Sequence, residues 1–256
     1  MNIYVLASGS KGNMTFIQSQ NHWLCLDVGI SIKKIEEKLK NLPINKDLKC
    51  DVLLTHEHGD HTQGLKAFVS KGYVNKVYLN KGTLESLKDD VYDTIKDYVV
   101  LFDDHSFHVF DYVVTPFKVS HDAKDPVGFS LETNSKKIVL ITDTGYLDIQ
   151  NEMFIKDADV YLIEANHQPD TLLQSKRPYL LKRRILSEQG HLSNEDAAKL
   201  INKVMGDKPT HWVVMHISED CNSILDIEKA VVKYIKNPLH IVIHYTGQDH
   251  ITEVLL

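Results

Sequence analysis

Short apolar runs separated by polar turns recur along the whole chain, which is the pattern of a strand-rich protein. Helical spacing is limited to a few segments, beginning at Ser31, at Thr62, at Ser193 and near Ile224. The apolar runs predict strands at Asn2–Leu6, Met14–Ser19, His22–Asp27, Asp51–Thr55, Tyr98–Phe102, Phe107–Phe110, Tyr112–Val119, Val127–Leu131, Lys137–Thr142, Asp159–Glu164 and His211–Met215, with a final pair at the end of the chain. Strands in both halves with helices interspersed predict a layered α/β protein.

Length and composition fit one globular domain over residues 1–256. The sequence is 43% hydrophobic and 25% charged, and it contains no internal repeat or long linker. No apolar stretch approaches the roughly 18 residues that span a bilayer, so we expect no membrane association. The N-terminus lacks a basic region before its apolar run and predicts a first strand, not a signal peptide. Three widely spaced cysteines predict reduced thiols and a cytoplasmic location.

Charge is unevenly distributed. The net charge of −6 disfavours a general nucleic-acid-binding surface. Residues 171–187, however, contain no acid and five basic residues: Lys176, Arg177, Lys182, Arg183 and Arg184. This segment is either a local phosphate-binding surface or a solvated helix face.

Thr55–His61 carries the clearest chemistry of the chain, because it reads Thr-His-Glu-His-Gly-Asp-His directly after an apolar run. Imidazole and carboxylate are the ligands that hold zinc, manganese or iron. His56 and His58 are two residues apart, so an extended backbone directs them to one side. Gly59 permits a tight turn before Asp60 and His61. The segment predicts a metal site.

Three further apolar runs also end in residues that bind metals. His121 follows one run, Asp143 follows a second and His216 follows a third. A single histidine at a strand end is more often structural, but the upstream cluster makes these three candidate ligands.

The order of these motifs resembles the metallo-β-lactamase superfamily. The resemblance implies an αββα four-layer sandwich, in which two mixed β-sheets carry helices on their outer faces. It also implies two divalent metal ions, with zinc the first choice and manganese compatible. The resemblance implies the following ligand set: His56, His58 and His121 for one metal, Asp60, His61 and His216 for the other, and Asp143 between them. Asp27 matches the motif whose aspartate supports the site from behind, and Asp60 is a candidate to orient or deprotonate the attacking water.

Further motifs resemble the YycJ/WalJ-type subgroup of that superfamily. They are the Ser-Gly-Ser-Lys-Gly-Asn loop at 8–13, Glu-Ala-Asn-His at 164–167, Leu-Lys-Arg-Arg-Ile at 181–185 and Gly-His-Leu-Ser-Asn at 190–194. The subgroup resemblance implies a 5′-to-3′ exonuclease on single-stranded DNA, in which activated water attacks phosphorus. Similarity to ribonuclease Z implies that Glu164 and His191 together protonate the leaving group. Candidate substrate-binding residues are Ser8, Ser10, Asn13, His167, Lys182, Arg183 and Arg184.

Several alternatives remain open from the sequence. The 8–13 loop is either an anion-binding loop or a plain hairpin connection. The enzyme is alternatively a small-molecule hydrolase for cyclic or short phosphodiesters, thioesters or lactones, or a ribonuclease, or a metal-binding protein without activity. The nucleic-acid-clamping β-CASP insert of ribonuclease J is absent, and the chain departs from the subgroup pattern at Ser175–Tyr179 and at Cys221.

Overall fold

The computed structural model describes residues 1–20, 22–43 and 48–256, with only the backbone of Ile149. Within these residues the chain divides into two compact units. The first unit comprises residues 1–111, 123–126 and 247–256, and the second comprises 112–122 and 127–246. The expected single-domain organisation stays a prediction.

The first unit contains a mixed sheet and five helices among its described residues. Its strands are β1 (Asn2–Ala7), β2 (Met14–Ser19), β3 (His22–Leu26), β4 (Cys50–Leu53), β5 (Val74–Leu79) and β6 (Val99–Leu101), with β7 (Phe107–Val109) following in the chain. Its helices are α1 (Ile32–Leu39), α2 (Gly59–Thr62), α3 (Leu65–Ser70), α4 (Lys81–Ser86) and α5 (Asp89–Ile95). The C-terminal strand Thr252–Leu255, named β14 for its place in the chain, completes the sheet in the order β14-β1-β2-β3-β4-β5-β6. The pairs from β14 to β3 are antiparallel and those from β3 to β6 are parallel.

The second unit repeats this plan with its own mixed sheet. Its strands are β8 (Tyr112–Lys118), β9 (Val127–Glu132), β10 (Lys137–Ile141), β11 (Val160–Glu164), β12 (Thr210–Met215) and β13 (Ile241–Tyr245). Its helices are α6 (Glu152–Ile155), α7 (Pro169–Gln174), α8 (Tyr179–Ile185), α9 (Asn194–Val204) and α10 (Ile224–Tyr234), with short 3₁₀ turns at Ile149–Asn151 and Pro238–His240. Within this unit the sheet order is β13-β12-β11-β10-β9-β8, parallel from β13 to β10 and antiparallel from β10 to β8.

Each unit has its own hydrophobic core. In the first unit, Phe16, Phe68 and Leu79 are fully buried between the sheet and its helices. In the second, Trp212 and Tyr161 pack with the buried faces of α9 and α10. These cores fix the strands, and the loops at the strand ends carry the candidate site.

Most predicted elements are confirmed, with two corrections. The helix expected from Thr62 instead begins at Gly59, inside the histidine motif, and a separate helix starts at Leu65. Gly59 does not occupy the left-handed region, and a Cβ there would meet no atom within 4 Å. Its lack of a side chain is therefore not what shapes the motif. The sequence pattern also missed β5, α4, α5, α6 and α7.

We call Thr55–His61 the motif loop. The glycine whose lack of a side chain this loop requires is Gly29. A Cβ on Gly29 would overlap the backbone oxygen of Asp60. Around this contact, Asn13 N donates to Asp60 O at 2.8 Å and Gly29 N donates to Asn13 O at 2.7 Å. The 8–13 loop thus packs against the motif loop and is hydrogen-bonded to it.

We expect Gly29→Ala to lower the free energy of unfolding by about 3 kcal/mol, because backbone atoms of the motif loop must move to admit the new methyl group. Gly59→Ala is the matched control and should change it by less than about 0.5 kcal/mol. Urea denaturation of both variants measures the difference. Equal stability of the two variants would contradict the packing described here.

Candidate metal centre

In the first unit, the histidines of the motif gather around the end of β4. The rings of His56 and His58 lie 4.6 Å apart between centroids, and those of His56 and His61 lie 4.1 Å apart. His56 and His61 are buried, and Asp60 Oδ2 lies 3.8 Å from His61 Nε2. Because β4 ends at Leu53, a loop and the first turn of α2 position these residues, not the extended strand that the sequence predicted.

The Asp27 carboxylate holds Thr55 and His61 of this cluster in place. This buried carboxylate accepts from Thr55 N at 2.9 Å and from the Thr55 hydroxyl, and it lies 2.7 Å from His61 Nδ1. With Nδ1 engaged by a carboxylate, the Nε2 atom of His61 is the one that can bind a metal. Asn13 Nδ2 lies 3.0 Å from that Nε2 atom. Asp27 therefore has the geometry expected of a residue that orients a ligand.

In the second unit, four acid and imidazole side chains converge. Asp143, Glu164, His191 and His216 each offer one donor atom within 4.8 Å of the others. Asp143 Oδ1 lies 3.4 Å from both His191 Nδ1 and His216 Nε2, and the two imidazole rings stack at 4.9 Å. His121 joins this cluster, with its ring centroid 5.5 Å from that of His191. Burial lowers the pKa of His121, so its neutral, metal-binding form is favoured.

Glu164 is fully buried and holds three groups at once. Its Oε1 accepts from Thr144 N at 2.7 Å and from Leu192 N at 3.3 Å, and its Oε2 lies 3.0 Å from His191 Nδ1. The Glu164 carboxylate therefore orients His191 through Nδ1, and it does not engage Nε2. A histidine held in this way is suited to donate a proton.

Asn166 gives His216 a similar support. The Asn166 amide contacts His216 Nδ1 at 3.0 Å and donates to His216 O at 2.8 Å. The sequence motif Glu-Ala-Asn-His pointed to this loop without assigning a role to Asn166. Only the fold shows that it contacts a histidine 50 positions away.

The donor sets fit divalent metal ions in both units. Clustered imidazoles with carboxylates suit zinc and accept manganese, and the Nδ1 atom of His61 contacts a carboxylate while that of His216 contacts an amide. The donor atoms in both units therefore agree with the metal-binding prediction.

Several predicted substrate-binding residues have other roles in the structure. Ser8 and Asn13 are buried, and Asn13 uses its amide on Gly9 and His61. Lys182 donates its ammonium to the backbone oxygens of Leu173 and Ser175. Asn13 and Lys182 thus contact neighbouring loops, Ser8 is enclosed, and the substrate contacts of all three stay predictions. Ser10 is exposed and stays a prediction.

Two arginines of the basic segment are paired with acids. Arg184 binds Asp122 through Nε at 2.5 Å and Nη2 at 2.8 Å, next to His121. Arg177 pairs with Asp220 and donates to the Ser218 hydroxyl at 3.2 Å. The two segments that depart from the subgroup pattern are thus joined to each other. Arg183 is exposed, and the described residues provide it with no ion pair.

Comparisons with known proteins agree with this geometry. The profile of the beta-lactamase superfamily domain matches residues 22–217. Over 219 residues the chain is 36% identical to exodeoxyribonuclease YycJ of Bacillus anthracis, an alignment covering 85% of this chain and 83% of that one. The chain belongs to the metallo-β-lactamase superfamily.

Within this superfamily a second relative gives the same result. Exodeoxyribonuclease WalJ of Streptococcus pneumoniae is 34% identical over 227 residues, covering 85% of this chain and 82% of the relative. The metallo-β-lactamase fold is shared with YhfI of Bacillus subtilis (TM-score 0.72, 16% identity, 99% of each chain). It is also shared with the short form of human tRNase Z (TM-score 0.67, 15% identity, 98% of each chain). The predicted family and fold class are therefore confirmed.

His167 is a buried imidazole at the edge of the second cluster. It is 1% exposed, and neither ring nitrogen has a hydrogen-bond partner among the described residues. This enclosure does not suit the direct substrate contact that the sequence predicted. Burial, with smaller contributions from His191 and Arg177, lowers the pKa of His167 to about 4.

The lowered pKa of His167 predicts a loss of stability in acid. In the unfolded chain the imidazole binds a proton below about pH 6.5, whereas the folded protein keeps it neutral down to about pH 4. Above about pH 6.5 the protonation of His167 therefore does not reduce the free energy of unfolding. Between pH 7 and pH 5 it lowers that free energy by about 2 kcal/mol.

We expect His167→Leu to remove that part of the pH dependence and to be more stable than the unaltered protein at pH 5. Urea denaturation at both pH values measures it. His108→Gln, at an exposed histidine, is the control and should keep the full dependence. An unchanged pH dependence in His167→Leu would show that His167 is not held neutral.

Proposed function

We propose that the protein is a metal-dependent phosphodiesterase, and specifically a 5′-to-3′ exonuclease acting on single-stranded DNA. The observation that carries the proposal is the Glu164–His191 pair beside Asp143 and His216, in a chain similar to proteins named exodeoxyribonucleases. A thioester hydrolase has less need of a residue that protonates a leaving group, because a thiolate departs without a proton. The pair thus favours a phosphodiester with a poor leaving group.

We assign the metal ligands by the motif order of the superfamily. His56, His58 and His121 would hold one divalent ion, Asp60, His61 and His216 would hold a second, and Asp143 would be a ligand to both. Zinc is the first choice, and manganese is compatible with the mixed imidazole and carboxylate donors. When bound, such ions would supply an activated water and neutralise charge on the phosphodiester.

The protein groups perform the remaining steps. Asp60 orients the attacking water and accepts its proton. Glu164 holds Nδ1 of His191, so that the opposite nitrogen, Nε2, gives a proton to the departing 3′-oxygen as the bond from that oxygen to phosphorus breaks. Asp27 and Asn166 keep His61 and His216 in orientation.

A cytoplasmic location agrees with this function. The three cysteines are buried and unpaired with one another, as is usual in a reducing compartment. No helix among residues 1–20, 22–43 and 48–256 is long and apolar enough to cross a membrane.

The direct test is digestion of 5′-labelled single-stranded DNA and of RNA with the same sequence, in zinc or manganese. We expect mononucleotide release from DNA, and a decrease of at least about 100-fold in His58→Ala because a metal ligand is lost. His108→Ala, at an exposed histidine outside the cluster, is the control and should keep full activity. Full activity in His58→Ala would exclude the proposed mechanism, and digestion of RNA alone would correct the substrate.

A further inference from the structure

An exposed apolar and basic face runs along α8 in the second unit. Tyr179 and Leu180 are each 75% exposed, although they begin a helix whose opposite face buries Ile185. Tyr179, Arg183 and Leu186 are spaced i, i+4 and i+7, so they share one side of the helix. Leu186 is 43% exposed. We call Tyr179, Leu180, Arg183 and Leu186 the α8 face.

The ion pairs of the basic segment distinguish two classes of cation. Arg177, Lys182 and Arg184 are bound to Asp220, to backbone oxygens and to Asp122, respectively. Lys176 and Arg183 are exposed, and the structure gives them no such partner among the residues it describes. The charge available to a ligand is therefore concentrated at the α8 face and at the residue just before α8.

The α8 face is connected to His191 through a short backbone path. His191 N donates to Ile185 O at 3.1 Å, and a Cβ on Gly190 would overlap the backbone oxygens of Ile185 and Arg184. The end of α8 and the residue that we assign as the proton donor are thus fixed to each other. Leu186, the last residue of the α8 face, directly follows the residue that is hydrogen-bonded to His191.

We infer that the α8 face binds single-stranded nucleic acid next to the scissile phosphate, with a base stacked on Tyr179 and a phosphate at Arg183. This inference rests on the proposed function and gives it a substrate-binding surface. Exposed aromatic rings combined with free cations are the two features that bind unpaired strands, since duplexes keep their base faces stacked. The absence of acid in residues 171–187 makes the face complementary to a polyanion.

Binding is measured by fluorescence anisotropy with a labelled, phosphorothioate-linked oligothymidylate, which stays intact during the measurement. We expect Tyr179→Ala to weaken binding about tenfold and Tyr179→Phe to retain it, because stacking needs the ring and not the hydroxyl. Arg183→Gln should weaken binding and lower the slope of log affinity against log salt by about 0.7. A duplex of the same length should show no change in affinity on Tyr179→Ala.

Two matched controls are available. Tyr92→Ala alters a tyrosine that is 43% exposed on α5, and Lys236→Gln removes an exposed cation after α10. Both should bind the oligonucleotide like the unaltered protein. Unchanged binding in Tyr179→Ala and Arg183→Gln would overturn the inference and point to a protein partner at this face. Equal losses for single strand and duplex would also overturn it, because they would show a nucleic-acid surface without preference for unpaired strands.

Hydrolysis of bis(p-nitrophenyl) phosphate separates this inference from the proposed function. That small diester has no nucleobase to stack and no neighbouring phosphate, so its cleavage by the unaltered, metal-loaded protein reports on the reaction alone. If the metal-loaded protein cleaves no diester while the variants still lose oligonucleotide binding, the proposed reaction fails and the α8 face stands. If diester cleavage persists and oligonucleotide binding does not change, the reaction stands and the α8 face fails.

Discussion

The candidate site of the second unit depends on the hydrogen bonds of the Glu164 carboxylate. A fully buried carboxylate is costly unless donors surround it, and here two backbone N–H groups and an imidazole do so. One of those N–H groups follows Asp143, and the other follows His191. A single side chain at the end of β11 thus fixes both an acidic candidate ligand and the candidate proton donor.

Left-handed backbone at strand ends is the second constraint. Asp27, Asp143 and His216 have φ values of 57°, 53° and 51°. Such conformations cost roughly 1–2 kcal/mol for a residue with a side chain, and they persist where the surroundings impose them. Each of these residues follows a strand, and the turn directs its side chain back toward the cluster. The buried hydrogen bonds of Asp27 and Glu164 offset that strain.

The strands, and the position of the candidate ligands at strand ends, were predictable because their signals are local. Apolar runs ending in His or Asp are visible within a few residues, and so are the caps of α9. The strand β5 was missed because exposed Asn75 and Lys76 interrupt its apolar run. The roles of Arg177 and Arg184 were not predictable, because their acidic partners lie 43 and 62 positions away. Composition alone could not show which cations are bound to acids or to backbone oxygens and which are exposed without such a partner among the described residues.

The same limit applies to the 8–13 loop, where local sequence left an anion-binding loop and a hairpin connection open. Its backbone and Asn13 contact the motif loop, so its glycines serve close packing. Site residues on strand ends are therefore predictable from sequence, whereas the residues that support them are defined by contacts between distant segments.

The most direct test of the account compares two leaving groups in His191→Ala. DNA releases a 3′-alkoxide that must be protonated, whereas p-nitrophenolate departs from thymidine 5′-(p-nitrophenyl phosphate) without a proton. The account predicts that His191→Ala loses at least about 100-fold in rate on DNA and retains most of its rate on the nitrophenyl ester. Equal losses on both substrates would contradict the role assigned to the Glu164–His191 pair.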